Sequence, residues 1–375
     1  MLISGRSDLK RVRRVVVKVG SSLLADAETG IRQDVIDRLV DELALLMADG
    51  VQVVVVTSGS VALGRVRMHW LHRELSVHEK QAAAAIGQPK LMRAYGQAFE
   101  RHGKSVAQML LTKDDLRHRR RYLNTSNTSE TLFSAGVVPI VNENDTVVVA
   151  EIKFGDNDSL GALVSLVVDA DLLVMLTDVD GLYDADPGES REATRIGVVA
   201  QLDERHEAMA GDAGSSFGTG GMASKLAAAR IATRAGVTAA IISGKKSGEL
   251  TRLLAGEDVG TLFLCGVDRQ ARRKQWITEI LRPCGQIHVD AGAARALTEQ
   301  GSSLLPIGVT DVQGVFDKGD CVEIVADSTV IARGLCNYTA DEVRRIQGHA
   351  SSEIKRILGF HDFSSLIHRD NLVLM

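Results

Sequence analysis

Val12-Arg-Arg-Val-Val-Val-Lys-Val19 leads into Gly20-Ser-Ser22, and Val51-Gln-Val-Val-Val-Val56 leads into Thr57-Ser-Gly-Ser60. Between the two runs, Arg32–Asp49 carries apolar residues at Val35, Leu39, Leu43 and Leu46, a helical spacing. A valine run too apolar to alternate reads as a strand buried on both faces, and strand–helix–strand makes the two strands parallel. The same alternation continues outward. Ser105–Leu110, Val137–Val141, Leu172–Thr177 and Val237–Ile242 read as further doubly buried strands. His78–Arg101, Tyr122–Ala135, Ser159–Asp169 and Ala223–Ala235 read as the helices between them, several stopped by a glycine (Gly50, Gly103, Gly136, Gly236). Right-handed crossovers then give an α/β fold, a three-layer α/β/α sandwich around a mainly parallel sheet.

With 375 residues, 45% of them apolar, the chain has enough for two domains with their own cores, and extensive disorder is not indicated. Lys and Arg number 44 against 48 Asp and Glu, a net charge of −4, so no whole-chain attraction to nucleic acid is expected. No run approaches the roughly 18 apolar residues that span a bilayer. Basic residues from Arg6 to Arg14 precede only three valines before Lys18, with no small-residue cleavage site, which argues against a secretory signal. Four cysteines without CxxC spacing read as reduced thiols, and the localisation they imply is cytoplasmic.

The pattern changes after about Leu264. Asp317-Lys-Gly-Asp320 and Ala326-Asp-Ser328 are turn signals flanking the alternating Cys321–Val325 and Thr329–Leu335. The expected organisation is a sandwich domain at 1–265, a linker at 266–282, a small β-rich domain with two or three helices at 283–361, and a tail at 362–375. From Cys284 onward there are eight basic and twelve acidic residues.

In a parallel sheet, ligands bind beyond the carboxyl ends of the strands. The segments at those ends are Lys18-Val-Gly-Ser-Ser22, Thr57-Ser-Gly-Ser-Val-Ala-Leu-Gly64, Asn142-Glu-Asn-Asp145, Gly155-Asp-Asn-Asp158, Thr177-Asp-Val-Asp-Gly181 and Gly218-Thr-Gly-Gly-Met-Ala-Ser-Lys225. Glycine lets a backbone approach closely, and free N–H groups at a helix start favour an anion. Each loop alone is an ordinary strand-to-helix turn; three on one sheet edge, with two lysines, point to phosphate. Neither GxxxxGK[ST] nor an N-terminal dinucleotide fingerprint is present. Lys18 ends an apolar strand, where a charge needs a partner, either a structural ion pair or a bound anion. Lys225 lies in the first turn of a helix, where a cation opposes the macrodipole unless an anion is near. Asp156 and Asp158 sit at a helix start, so capping is an alternative for one of them. Arg117-His-Arg-Arg-Arg121 reads as a solvated face or an anion-attracting rim, and the ten histidines show no metal spacing.

These residues, together with Gly87-Gln-Pro89, Gln108-Met-Leu-Leu-Thr112 and Glu151-Ile-Lys-Phe154, resemble the bacterial glutamate 5-kinases of the amino-acid-kinase superfamily. Gly301-Ser-Ser-Leu-Leu-Pro306 and Arg345-Ile-Gln-Gly-His349 resemble the C-terminal PUA domain of the longer members. The resemblance runs in order from about Val15 to His368. It implies ATP- and Mg²⁺-dependent phosphorylation of the side-chain carboxylate of L-glutamate, the opening step of proline biosynthesis, with proline as a competing inhibitor and a homodimer or homotetramer as the assembly. Carried over position by position, Lys18, Lys225 and Asp158 would be catalytic. Lys18, Thr219, Gly220, Gly221, Met222, Ala223, Ser224 and Lys225 would hold ATP phosphates, with Thr177 and Asp178 nearer the nucleotide. Ser58, Asp145 and Asn157 would bind glutamate, Asp145 suiting its ammonium and Ser58 its α-carboxylate. Magnesium would ride on the ATP phosphates, with no protein ligand assigned. Asn124-Thr-Ser-Asn127 departs from the family's Asn-Ala-Arg-Asp, so an arginine contact expected there is absent.

Two other readings stand beside this one. A related kinase acting on aspartate would begin Lys-Phe-Gly-Gly and carry ACT domains; one acting on a nucleoside monophosphate is the other sibling. An RNA-binding factor would use the PUA-like segment, but its acidity and the lack of an aromatic and basic surface argue against nucleic acid.

Overall fold

In the computed structural model, which describes residues 2–26, 30–147, 157–185, 190, 192–209, 221–266 and 281–375, the valine runs form the centre of one sheet. The chain divides into two units, residues 1–116 with 125–267 and residues 117–124 with 268–375.

The first unit's strands are β1 (Arg14–Val19), β2 (Ala25–Asp26), β3 (Gly30–Ile31), β4 (Gln52–Val56), β5 (Val106–Leu111), β6 (Val138–Glu143), β7 (Leu172–Thr177), β8 (Val198–Val199), β9 (Thr238–Ser243) and β10 (Thr261–Phe263). Eight of them make a sheet ordered β5-β6-β4-β1-β7-β9-β10-β8, while β2 and β3 form a hairpin. Every pair in the large sheet is parallel except β9 with β10. The helices are α1 (Ser21–Leu24), α2 (Gln33–Ala48), α3 (Ser60–Arg67), α4 (Val77–Glu100), α5 (Lys113–Arg117), α6 (Arg119–Ser134), α7 (Asn157–Val167), α8 (Glu204–Ala208), α9 (Met222–Arg234) and α10 (Glu249–Leu254).

Alternate residues of the central strands feed two layers. Val15, Val17 and Val19 of β1 pack with Leu39, Leu43, Tyr95, Phe99 and Leu253 from α2, α4 and α10 in one core. Lys18 faces the other side, where α7 packs closely: a Cβ at Gly161 would sit 3.3 Å from the Lys18 Cβ and 3.5 Å from Leu173. That gives the three-layer sandwich expected from the sequence.

Predicted and observed boundaries differ by at most three residues, and Gly50, Gly103, Gly136 and Gly236 end their helices with positive φ, as expected. Two features differ. β5 is not buried on both faces: it is the edge of the sheet, and of its six residues only Met109 is buried. β10 runs antiparallel to β9 because the chain returns through α10 without crossing the sheet.

In the second unit, β11 (Gly285–Val289), β12 (Val309–Gly314), β13 (Cys321–Ala326), β14 (Thr329–Leu335) and β15 (Leu372–Leu374) form a sheet ordered β12-β11-β13-β14-β15. The turn between β13 and β14 places Asp327 and Ser328 at positive φ, which suits a tight hairpin. Among the described residues, three helices accompany the sheet: α11 (Ala291–Gln300), α12 (Ala340–Ile346) and α13 (Ile354–Leu358). Ile287, Ile324, Val343, Ile346 and Ile367 meet in a separate core. Leu372–Leu374, within the stretch expected as a tail, pairs with β14 as the sheet's last strand.

Candidate active site

Lys18 is the fifth residue of β1, between Val56 of β4 and Met175 of β7, and it is buried. An ammonium there is costly without a counter-charge. Asp158, the second residue of α7, supplies it: Lys18 Nζ is 2.5 Å from Asp158 Oδ1. Lys225, in the first turn of α9, brings its Nζ to 3.5 Å from Asp158 Oδ2, and Ser224 Oγ donates to the same oxygen at 2.6 Å. One carboxylate, 1% exposed, thus lies between two buried ammonium groups.

The electrostatics reflect burial and charge. Burial pushes the Asp158 carboxyl up, but Lys18, Lys225 and the hydrogen bonds to Lys18 and Ser224 outweigh it and hold the group below the usual carboxylate range. For Lys225, burial pushes the ammonium below the ordinary lysine range and Lys18 adds to that, with Asp158 opposing. A further anion next to the two lysines would be welcomed by both.

Asn157, the residue before Asp158, turns its amide the other way. Its Nδ2 donates to the Thr57 carbonyl at 2.8 Å, Ser58 Oγ at 2.9 Å and Asn142 Oδ1 at 3.1 Å. Ser58 Oγ, having accepted that bond, keeps its own O–H to give. Asn157 Oδ1 is buried and has no hydrogen-bond partner among the described residues. Beyond Ser58, Gly59 takes a φ of 104° and starts α3, whose first residue, Ser60, donates to Asp145 Oδ2 at 3.1 Å. Burial raises the Asp145 carboxyl to about 6, with the Ser60 hydrogen bond opposing.

The loop carrying Ser58 and Ser60 is held by glycine contacts. A Cβ on Gly64 would run into the Ala83 carbonyl, and one on Gly87 into the Ser60 carbonyl, so α3 and α4 cross backbone to backbone. This crossing brings Gln88 beside Asn142, whose Nδ2 donates to Gln88 Oε1 at 2.7 Å.

The structure therefore joins Lys18, Lys225, Ser224 and Asp158 in one cluster and Ser58 with Asn157 in another, and the two clusters meet at the adjacent residues Asn157 and Asp158. Asp145 touches Ser60 rather than Ser58. Thr177 Oγ1 donates to Asp178 Oδ1 at 3.1 Å, and Asp178 is near enough to Lys225 to favour its charged form. Gly221 precedes α9 with open space where a Cβ would be, and Met222 and Ala223 open that helix. Thr219, Gly220 and Asp156 lie outside the described residues. Asp158, read alternatively as a cap, is instead the shared counter-charge. Sequence reasoning assigned no role to Ser60, Gln88 or Asn142; each sits inside a quoted motif, but only the fold shows what its polar atoms face. Among the described residues, no three His, Cys, Asp or Glu side chains are grouped to hold a metal ion. No described helix is long and apolar enough to cross a membrane.

The chain matches the model of the amino acid kinase family over residues 13–243 and that of the PUA domain over residues 285–358. It is 50% identical to the glutamate 5-kinase of Trichlorobacter lovleyi over 371 residues, 99% of each chain. It is 50% identical to that of Geobacter sulfurreducens over 368 residues, covering 98% of this chain and 99% of the relative. The glutamate 5-kinase of Chromohalobacter salexigens is 49% identical over 373 residues, 99% and 98% of the two chains. With about half of its residues shared over nearly the full length of these relatives, and both domains in place, this chain belongs to the glutamate 5-kinase family.

Proposed function

We propose that this chain transfers the γ-phosphoryl group of ATP to the side-chain carboxylate of L-glutamate, forming L-glutamyl 5-phosphate for proline biosynthesis. The observation that carries the reading is the adjacency of Asn157 and Asp158, one facing the Ser58 loop and the other the paired lysines. An amino acid held at the first would present its side-chain carboxylate toward the second.

The chemistry asks mainly for charge neutralisation, because a carboxylate and a γ-phosphate are both anions. A carboxylate oxygen attacks phosphorus, the bond to the bridging oxygen of ATP breaks, and the electron pair leaves with ADP. A carboxylate nucleophile carries no proton, so no general base is needed. Lys18 and Lys225 would stabilise the transferring group from two sides, and Asp158 would hold both in position. ATP would arrive as its magnesium complex, the ion held by phosphate oxygens, since both oxygens of Asp158 already face lysines. Met222 to Lys225, with Gly221, would border the phosphates, and Thr177 and Asp178 the nucleoside side; Thr219 and Gly220 are assigned there from the family resemblance alone.

For the amino acid, Asn157 Oδ1 and ionised Asp145 suit the ammonium. The Ser58 hydroxyl and the N–H groups opening α3 suit the α-carboxylate. Proline, with the same ammonium and carboxylate, would compete there. The family resemblance supports a cytoplasmic homodimer or homotetramer, which light scattering on the purified chain would size. The decisive experiment supplies ATP and magnesium with L-glutamate, L-aspartate or UMP, monitors ADP release, and traps any acyl phosphate as its hydroxamate. Glutamate-dependent hydroxamate is expected; turnover with aspartate or UMP in preference to glutamate would reject the proposal.

A further inference from the structure

Three side-chain amides form a chain that runs away from the reacting groups. Asn157 Nδ2 donates to Asn142 Oδ1 at 3.1 Å, and Asn142 Nδ2 donates to Gln88 Oε1 at 2.7 Å. All three residues are more than nine-tenths buried. Asn142 Oδ1 also accepts the Glu143 backbone N–H at 2.9 Å. Its amide therefore has one tenable orientation: flipped, it would set NH₂ against the NH₂ of Asn157 and oxygen against the oxygen of Gln88. Asn157 is constrained likewise, with three acceptors around its nitrogen and its oxygen left unpartnered among the described residues. The orientation matters because a rotated Asn157 would offer a donor where an ammonium needs an acceptor.

We propose that Gln88 is a positioning residue for the amino-acid substrate. Its Oε1 fixes the Asn142 amide, which fixes Asn157 so that Oδ1 faces the substrate ammonium. The backbone contact at Gly87 anchors the end of this chain, since α4 cannot move away from the Ser60 loop without opening the helix crossing. The inference rests on the reading of Asn157 as a glutamate ligand.

The test uses the full-length chain. Gln88→Met fills nearly the same space without an acceptor. It should raise the KM for L-glutamate about tenfold or more, with a smaller change in kcat and an unchanged KM for ATP. Gln88→Glu keeps an acceptor toward Asn142 and should remain within about threefold of the parent. Because Gln88 acts through Asn142, adding Gln88→Met to Asn142→Leu should raise the glutamate KM no further. A parental KM in Gln88→Met, additive losses in the pair, or a Gln88→Glu enzyme as impaired as Gln88→Met would each overturn the inference. If Gln88→Met shows no folding transition, Gln88→Leu takes its place: a raised glutamate KM with a parental ATP KM supports the relay, and a parental glutamate KM rejects it. If the parent chain itself fails to phosphorylate glutamate, the proposed function falls first, which is a separate result.

Discussion

Replacing Asp158 with asparagine keeps the shape and an acceptor for Ser224 but removes the one carboxylate between Lys18 and Lys225. The two lysines are 4% and 5% exposed, so water cannot take over the lost charge. Breaking a buried pair by removing one partner costs about 3–5 kcal/mol, which for a domain of this size lowers the melting temperature by roughly 6–20 °C. Mislaid lysines would also lose transition-state contacts, and one such contact is typically worth about 10²–10³ in kcat. The pH dependence gives a sharper signature. Burial already lowers the Lys225 pKa and Asp158 opposes that, so D158N moves it lower still. Lys225 then sheds its proton at a lower pH, and the alkaline fall in kcat shifts to lower pH. Stability moves the opposite way. The unfolded chain, with an ordinary lysine, binds more protons than the fold in this window, so the stability of D158N rises with pH. Adding Lys18→Met to D158N should recover part of the melting temperature without restoring turnover. ADP release and thermal melts by circular dichroism, run in parallel from neutral to alkaline pH, read both. A D158N enzyme with the parental melting temperature and kcat would refute the shared counter-charge, as would activity and stability moving together with pH.

Ser60→Ala removes the hydrogen bond that opposes burial at Asp145, so the carboxyl should rise above its present value of about 6. Since ionised Asp145 is the form that takes an ammonium, kcat/KM for glutamate should rise with pH through the parental value, and that limb should move upward in S60A; an unmoved limb would separate Asp145 from substrate binding. Gly87→Ala forces a methyl into the Ser60 carbonyl and should cost about 1–3 kcal/mol or more by overpacking while raising the glutamate KM. A folded G87A with parental KM would show that the helix crossing does not set the substrate loop. Arg6 donates to the carbonyls of Gly197, Glu257, Val259 and Gly260 at 2.7–3.0 Å, so Arg6→Ala should lose about 2–4 kcal/mol in chemical denaturation while kcat stays parental, and an unchanged midpoint would contradict this clamp.

The interior of the first sheet was legible because β1, β4, β6, β7 and β9 are buried on both faces, which forces unbroken runs of apolar residues. The same pattern misleads at β5, because an edge strand can stay apolar while one side faces solvent. β8 and β10 have two and three residues, too few for any periodicity, and the antiparallel course of β10 is decided by how the chain returns after α10. The first dozen residues lie outside the family resemblance, yet Ile3 and Leu9 belong to the core and Arg6 bonds to carbonyls some 190–255 positions away. Such contacts leave no local pattern to read.

At the site, the misfit of each lysine with its surroundings could be read from the sequence, but the way the fold resolves it could not. A charge ending a valine strand and a cation opening a helix each signal a missing anion, and a phosphate is a sufficient answer to both. The fold gives an answer from within the chain: Asp158 faces both ammonium groups. This has a functional consequence. Two ammonium groups side by side in a buried cleft without a counter-charge would repel each other and would have to be reoriented to meet a phosphate. On the proposed function, a carboxylate between them would hold both in place, so a bound phosphoryl group would meet donors already positioned, and little reorganisation would be left for the transfer itself. The neighbouring amide of Asn157 is fixed by the same helix turn. On the proposed function, substrate orientation and charge stabilisation would both depend on α7, and a shift of that helix should impair both at once.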